Sequence, residues 1–193
     1  EQKVALVYRA DEVSLDSARV ILTDEDYAFA GRPPVAFHLS VTIDSATEHL
    51  IVVVMHAKAG SDAASRDRRD QAAAALKAFM DTTWPTRKVL VIGDFNDDVD
   101  TSITTGQPSP YRYFVADSAH YDFPTAALSA AGDASTVSYA DVIDHQLDTN
   151  EAHADCVPGS AEVFRADHYI PDYGNTTSDH YPVIVRYRVV NGG

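Results

Sequence analysis

The sequence contains one cysteine, Cys156, so no disulfide can form within the chain. A reactive thiol needs an electropositive setting, and Asp155 stands beside this one, so it reads as a small packed group. Long apolar runs are missing too. The longest, residues 49–55, is strand-sized and far short of the ~20 residues a membrane-spanning helix needs. Residues 1–8 have neither a basic leader nor a long apolar stretch, so they read as a strand in progress rather than a signal peptide. Basic residues are scarce. Lys and Arg total 15 against 29 Asp and Glu, a formal net charge of −14. That balance weighs against a protein that passively coats nucleic acid. It leaves room for an enzyme that brings its own divalent cations.

Several motifs are absent as well. No Gly-x-Ser-x-Gly, P-loop or Gly-x-Gly-x-x-Gly occurs. Neither His-x-x-x-His nor Cys-x-x-Cys is present, so a structural zinc site is not expected. Residues 94–98 start like a calcium loop, but Val99 stands where glycine is required and Thr105 where glutamate is, which rejects an EF-hand. No internal repeat or low-complexity block appears.

What is present is a run of short strands around one long helix. Period and composition predict strands over 4–8 and 13–22, and a hairpin of 35–43 and 49–56 turning at 44–47. Ala72, Ala75, Leu76 and Phe79 fall at helical spacing within an Ala- and Arg-rich stretch from Arg66 to about Thr83, ended by Pro85. Residues 88–93 read as a buried strand, 97–125 as loop, and 126–131 as one or two helical turns. Further strands are expected over 142–147, 161–170 and 183–190, with a turn-rich loop at 171–177. The class is mixed α/β with an at least partly antiparallel sheet.

Polar groups gather where these strands end. The strings are Val54-Met55-His56-Ala57-Lys58, Val91-Ile92-Gly93-Asp94-Phe95-Asn96, Val142-Ile143-Asp144-His145 and Ser178-Asp179-His180-Tyr181-Pro182. Loops at strand ends are where rigid scaffolds carry chemistry. Carboxylates hold hard cations, amides and imidazoles stabilise phosphoryl oxygens, and an Asp-oriented His handles a proton. Asp144 is the least ordinary, because a carboxylate beside buried surface must be paired or hydrogen-bonded. By contrast, Asp97, Asp98 and Asp100 read as a solvated loop, with a second cation as the other reading. The aromatics of 111–123 read as packing under a long loop rather than as a base-stacking platform.

In order and approximate spacing, the four strings resemble the endonuclease/exonuclease/phosphatase superfamily across nearly the whole chain, and in particular its bacterial, exported members. The resemblance implies a two-sheet, four-layer α+β sandwich, with residues 1–193 as the C-terminal portion of a single incomplete domain. It implies an Mg²⁺- or Mn²⁺-dependent phosphoric ester hydrolase (Ca²⁺ is a further option), foremost a nuclease cleaving phosphodiesters by metal-assisted water attack. A phosphatase or sphingomyelinase-like enzyme acting on a small or lipid phosphoester is the alternative. A non-catalytic binding module with an incomplete metal site is another. Asp179 would ligate the metal. Asp94 and Asn96 would hold the attacking water and the metal–phosphate unit. His180, oriented by Asp144, would be base or imidazolium, and His56 would touch a non-bridging oxygen. Whether Asp94 or His180 takes the proton stays open. Arg32 and Lys58, with Arg66, Arg68 and Arg69 nearby, would meet substrate phosphates.

The resemblance also implies an earlier asparagine and a metal-binding glutamate that this chain does not contain. They are expected in an N-terminal part supplied by a parent chain or a partner chain. The likeness to exported members is the one pointer to an extracellular or periplasmic setting.

Overall fold

The computed structural model describes residues 4–188. Its main sheet starts with β1 (Val13–Val20), β2 (Val35–Ile43) and β3 (Ala46–His56). These pair antiparallel in that order. The β2–β3 turn is only Asp44-Ser45, both left-handed at φ 48° and 72°, the geometry that matches the twist of a two-residue hairpin. Helix α1 (Ala63–Thr83) follows, capped by Asp62, whose carboxylate accepts from the Ser65 N–H at 3.0 Å. The crossover returns the chain to β4 (Val89–Asp94), parallel to β3.

A long segment then holds α2 (Arg112–Val115), β5 (Tyr121–Asp122) and α3 (Ala126–Ala131). It leads to β6 (Asp144–Thr149) and α4 (Asn150–His153). The six-stranded order is β1-β2-β3-β4-β6-β5. A separate two-stranded sheet pairs β7 (Glu162–Val163) with β8 (Val183–Ile184), and α5 (Tyr173–Thr176) lies between them in the chain.

Strand alternation gives the main sheet two apolar faces. Ile51, Val53 and Met55 of β3, with Val89, Val91 and Leu147, pack against Ala72, Ala73, Leu76 and Met80 of α1. Phe95 and, of the aromatics in 111–123, Tyr111, Phe114, Tyr121 and Phe123 extend this core beneath the long segment, whereas Tyr113, expected to pack with them, is exposed. On the opposite face Leu39, Val52 and Val54 form a smaller cluster, flanked by Phe37, Leu50 and Ile92.

Three expected strands change. Residues 4–8 join no sheet; Val4 and Leu6 lie against the smaller cluster instead. Of 161–170 only Glu162–Val163 pairs, and a 3₁₀ turn takes Ala166–His168. Of 183–190 the strand keeps Val183–Ile184; the last residues lie outside those described. The loop expected at 171–177 contains α5.

Candidate active site

Strands β3, β4 and β6 bring three of the expected groups to one level. Register pairs His56 with Asp94, and Asp94 with Asp144. Gly93 makes the first pairing possible. Its φ is +134°, and a Cβ there would lie 2.1 Å from the Met55 carbonyl oxygen. Only glycine lets the two backbones approach so closely. Phe95 then points into the core, edge-on to Tyr111 at 5.0 Å between centroids. Asn96 turns back at φ 52°. Its backbone N–H donates to Asp94 Oδ1 and its Nδ2 to Asp94 Oδ2, both at 2.8 Å. Gly-Asp-Phe-Asn is thus a close approach, an acid, an anchor and a clamp on that acid.

Asp144 Oδ2 receives two donors at 2.8 Å, Ser135 Oγ and His180 Nδ1. His180 is itself held: its N–H donates to Ser178 Oγ at 3.0 Å and its carbonyl accepts from Tyr173 Oη at 2.7 Å. The Asp144 hydrogen bond and charge push His180 up to about 9, against the opposing effect of burial. At neutral pH His180 is therefore an imidazolium with its Nδ1 proton engaged.

His56 has the opposite character. Burial, then Arg32, then His180 push its pKa down. Arg32 Nη1 lies 3.3 Å from His56 Nε2, and Nη2 donates to the Ala57 carbonyl at 2.9 Å. Burial and the adjacent guanidinium thus favour the neutral ring. Asp94 Oδ2 is also 3.3 Å from Nε2. Burial and the neighbouring Asp144 raise Asp94 to about 6.

The structure therefore gathers His56, Asp94, Asn96, Asp144, His180 and Arg32. Asp179 is exposed at the rim, and its charge adds to those that raise His180. Lys58 turns to its own chain, donating to the Ala59 carbonyl.

The neighbouring basic and acidic residues depart from expectation. Arg69 is fully buried, pairs with Asp97 at 2.7 Å, and donates to the Lys58 and Gly60 carbonyls. Arg66 is buried and donates to the Pro108 carbonyl. Arg68 lies over the Tyr27 ring and donates to the Tyr27 carbonyl. These side chains are engaged in holding the loops, not presented to a substrate. Asp97 and Asp98 are buried rather than solvated. Asp97 answers Arg69 and also accepts from Ser102 Oγ and the Ile103 N–H. Sequence reading missed Ser135, because nothing in a lone serine signals that folding will place it on Asp144.

No protein-family model matches the chain, and no curated protein is detectably similar in sequence. Solved structures do resemble it. An endonuclease/exonuclease/phosphatase from Beutenbergia cavernae DSM 12333 superposes with a TM-score of 0.61 at 17% identity, covering 91% of this chain and 45% of that one.

The chain has the endonuclease/exonuclease/phosphatase fold.

Two more structures with this fold widen the comparison. D. rerio TDP2 complexed with single-strand DNA product gives a TM-score of 0.52 at 16% identity, covering 92% of this chain and 69% of that one. The Bacteroides thetaiotaomicron mannosyl-6-phosphatase Bt3783 gives 0.53 at 14% identity, with 93% and 68% covered. The chain thus spans 45 to 69% of the length of these endonuclease/exonuclease/phosphatase-fold structures.

Proposed function

We propose that residues 1–193 carry the C-terminal catalytic portion of a metal-dependent phosphoric ester hydrolase, foremost a nuclease. One observation carries this reading: His56, Asp94, Asn96, Asp144, His180 and Arg32 converge at the ends of three adjacent strands. The TDP2 structure holds a DNA product on the same fold, which favours a phosphodiester substrate.

The donor set suits a hard divalent ion. Asp94, Asp179 and the Asn96 amide offer oxygens of the kind Mg²⁺ and Mn²⁺ take. Asp94 and Asp144 are close enough for their charges to oppose each other, and a cation would offset this. When bound, such an ion would polarise a phosphoryl oxygen and stabilise the leaving alkoxide. The remaining ligand is proposed to come from the part of the fold that these 193 residues do not span.

The chain's own residues have separable tasks. Asp94 is a carboxylate above about pH 6, held by both Asn96 donors, and accepts the proton of an attacking water. His180 is cationic and faces the developing phosphoryl charge with Nε2–H, while Asp144 fixes its tautomer. Arg32 seats His56 and adds a fixed positive charge beside it. His56 contacts a non-bridging oxygen. Of the two candidates for the proton, the raised His180 favours Asp94.

The test uses a full-length protein carrying this chain. Plasmid DNA, RNA, a chromogenic phosphodiester and a phosphomonoester are offered with Mg²⁺, Mn²⁺ or chelator. Metal-dependent cleavage of a diester is expected, with His180→Ala and Asp179→Ala each lowering it by about 10²–10⁴-fold. No cleavage in either metal, or variants as active as the parent, would sink the proposal. Cleavage of the monoester alone would move the reading to a phosphatase.

A further inference from the structure

At the other end of β6, about 13 Å along the strand from Asp144, lies a second group of ligating side chains. Asp148, His153 and Cys156 each bring a donor atom within 4.8 Å of the others. Asp122 lies beside this group, its Oδ1 3.6 Å from His153 Nδ1. We propose that Asp148, His153 and Cys156, with Asp122 at the edge as a fourth donor, form a binding site for a thiophilic transition-metal ion of the Zn²⁺ class, separate from the candidate active site.

Three observations support it. The two donor pairs around His153 have the spacing of a tetrahedral site. A tetrahedral Zn²⁺ with bonds of about 2.0–2.3 Å sets neighbouring donors about 3.3–3.8 Å apart. His153 Nδ1 is 3.3 Å from Asp148 Oδ2 and 3.6 Å from Asp122 Oδ1.

The charge arrangement also calls for a cation. The β5–β6 register sets Asp122 directly opposite Asp148. Like charges facing across strands are destabilising. Asp148 is fully buried, His153 Nδ1 is the one basic group beside both carboxylates, and among the described residues no Lys or Arg forms an ion pair with either.

Finally, Asp148 is held in place. Tyr187 Oη donates to its two oxygens at 2.8 and 2.7 Å, and Gln146 Nε2 donates to Oδ1 at 3.3 Å. Metal-ligating carboxylates are oriented by such partners. Cys156, His153 and Asp122 also line a cleft of about 280 Å³, through which an ion could enter. A thiolate with imidazole and carboxylates selects Zn²⁺ over Mg²⁺. Binding displaces the Cys156 proton to solvent and forms an S–Zn bond.

The test uses the 193-residue chain, stripped by chelator and dialysed. Zn²⁺ is titrated calorimetrically, and Co²⁺ serves as the spectroscopic probe. One Zn²⁺ per chain with a raised melting temperature is expected. Co²⁺ should give tetrahedral visible bands and a thiolate-to-cobalt charge-transfer band.

Cys156→Ser should remove that band and weaken Zn²⁺ binding at least tenfold. His153→Ala, at a half-exposed position where the fold tolerates change, should weaken it similarly. Tyr187→Phe should cost about 10–100-fold. Asp94→Ala should leave binding and band unchanged, which separates this site from the active-site metal. Absence of Zn²⁺ binding would overturn the site. A charge-transfer band or affinity untouched by Cys156→Ser, or lost instead with Asp94→Ala, would overturn it too.

Discussion

The two imidazoles of the candidate site carry different charges at neutral pH because their neighbours differ. His180 has Asp144 on Nδ1, and His56 has a guanidinium on Nε2. Since the folded pKa of His180, about 9, exceeds the ordinary histidine value, its contribution to stability is complete below about pH 6.5 and is lost as pH rises through about 9. Nuclear magnetic resonance titration of the ring should give a midpoint near 9, and Asp144→Asn should bring it down to the ordinary range or below. A midpoint that stays near 9 in the variant would remove Asp144 as the cause. Asp94 has the reverse sign. Its pKa is raised to about 6, so ionising it costs the fold stability above that pH and nothing well below its ordinary value. Asp94→Asn should therefore raise stability at pH 7–8, on the order of 1–3 kcal/mol, with the gain vanishing towards pH 4 in urea unfolding. The same variant should lose activity. At this scale Asp94, Asn96 and His180 were legible, because short strings at strand ends announce them. The Arg69–Asp97 pair was not, because its members lie 28 positions apart and only packing makes them partners.

The elements show which local signals suffice. Helix α1 and the hairpin β2–β3 follow their periodicity closely, since each is long and amphipathic enough to declare a buried face. Strands β7 and β8 shrink to two residues each, because in 161–170 only Glu162–Val163 finds a strand partner, and beyond Ile184 the described chain makes only an isolated bridge, Tyr187 with Cys156. Pairing is a nonlocal fact. The junction of β3 and β4 offers a sharp test at this scale. Gly93→Ala would drive a Cβ into the Met55 carbonyl, a backbone atom that cannot step aside. It should cost several kcal/mol and separate Asp94 from His56, so stability and activity fall together. Gly31→Ala, also at positive φ but with open space around it, should cost only about 1–2 kcal/mol. Equal losses in thermal unfolding at the two positions would mean that backbone strain, not the close approach, is what Gly93 relieves.

Across the whole molecule, the face of the main sheet opposite α1 is only partly covered. Leu39, Val52 and Val54 are buried there, with Val4 and Leu6 lying across them from an unpaired segment. Leu15 and Val20 of β1 stay exposed. Removing residues 1–7 should uncover that cluster, lower stability by roughly 1–3 kcal/mol and increase binding of an apolar dye. Unchanged dye binding would mean that the segment covers little.

Composition, strand-end motifs and helical period determined the fold class, the position of the long helix and most members of the candidate site, because each is written within a dozen residues. Tertiary structure decided the rest. It buried Arg66, Arg69, Asp97 and Asp98, placed Ser135 on Asp144, and set Asp122 opposite Asp148. These depend on which distant segments share a dry interior, where an unpaired charge costs several kcal/mol and must find its partner.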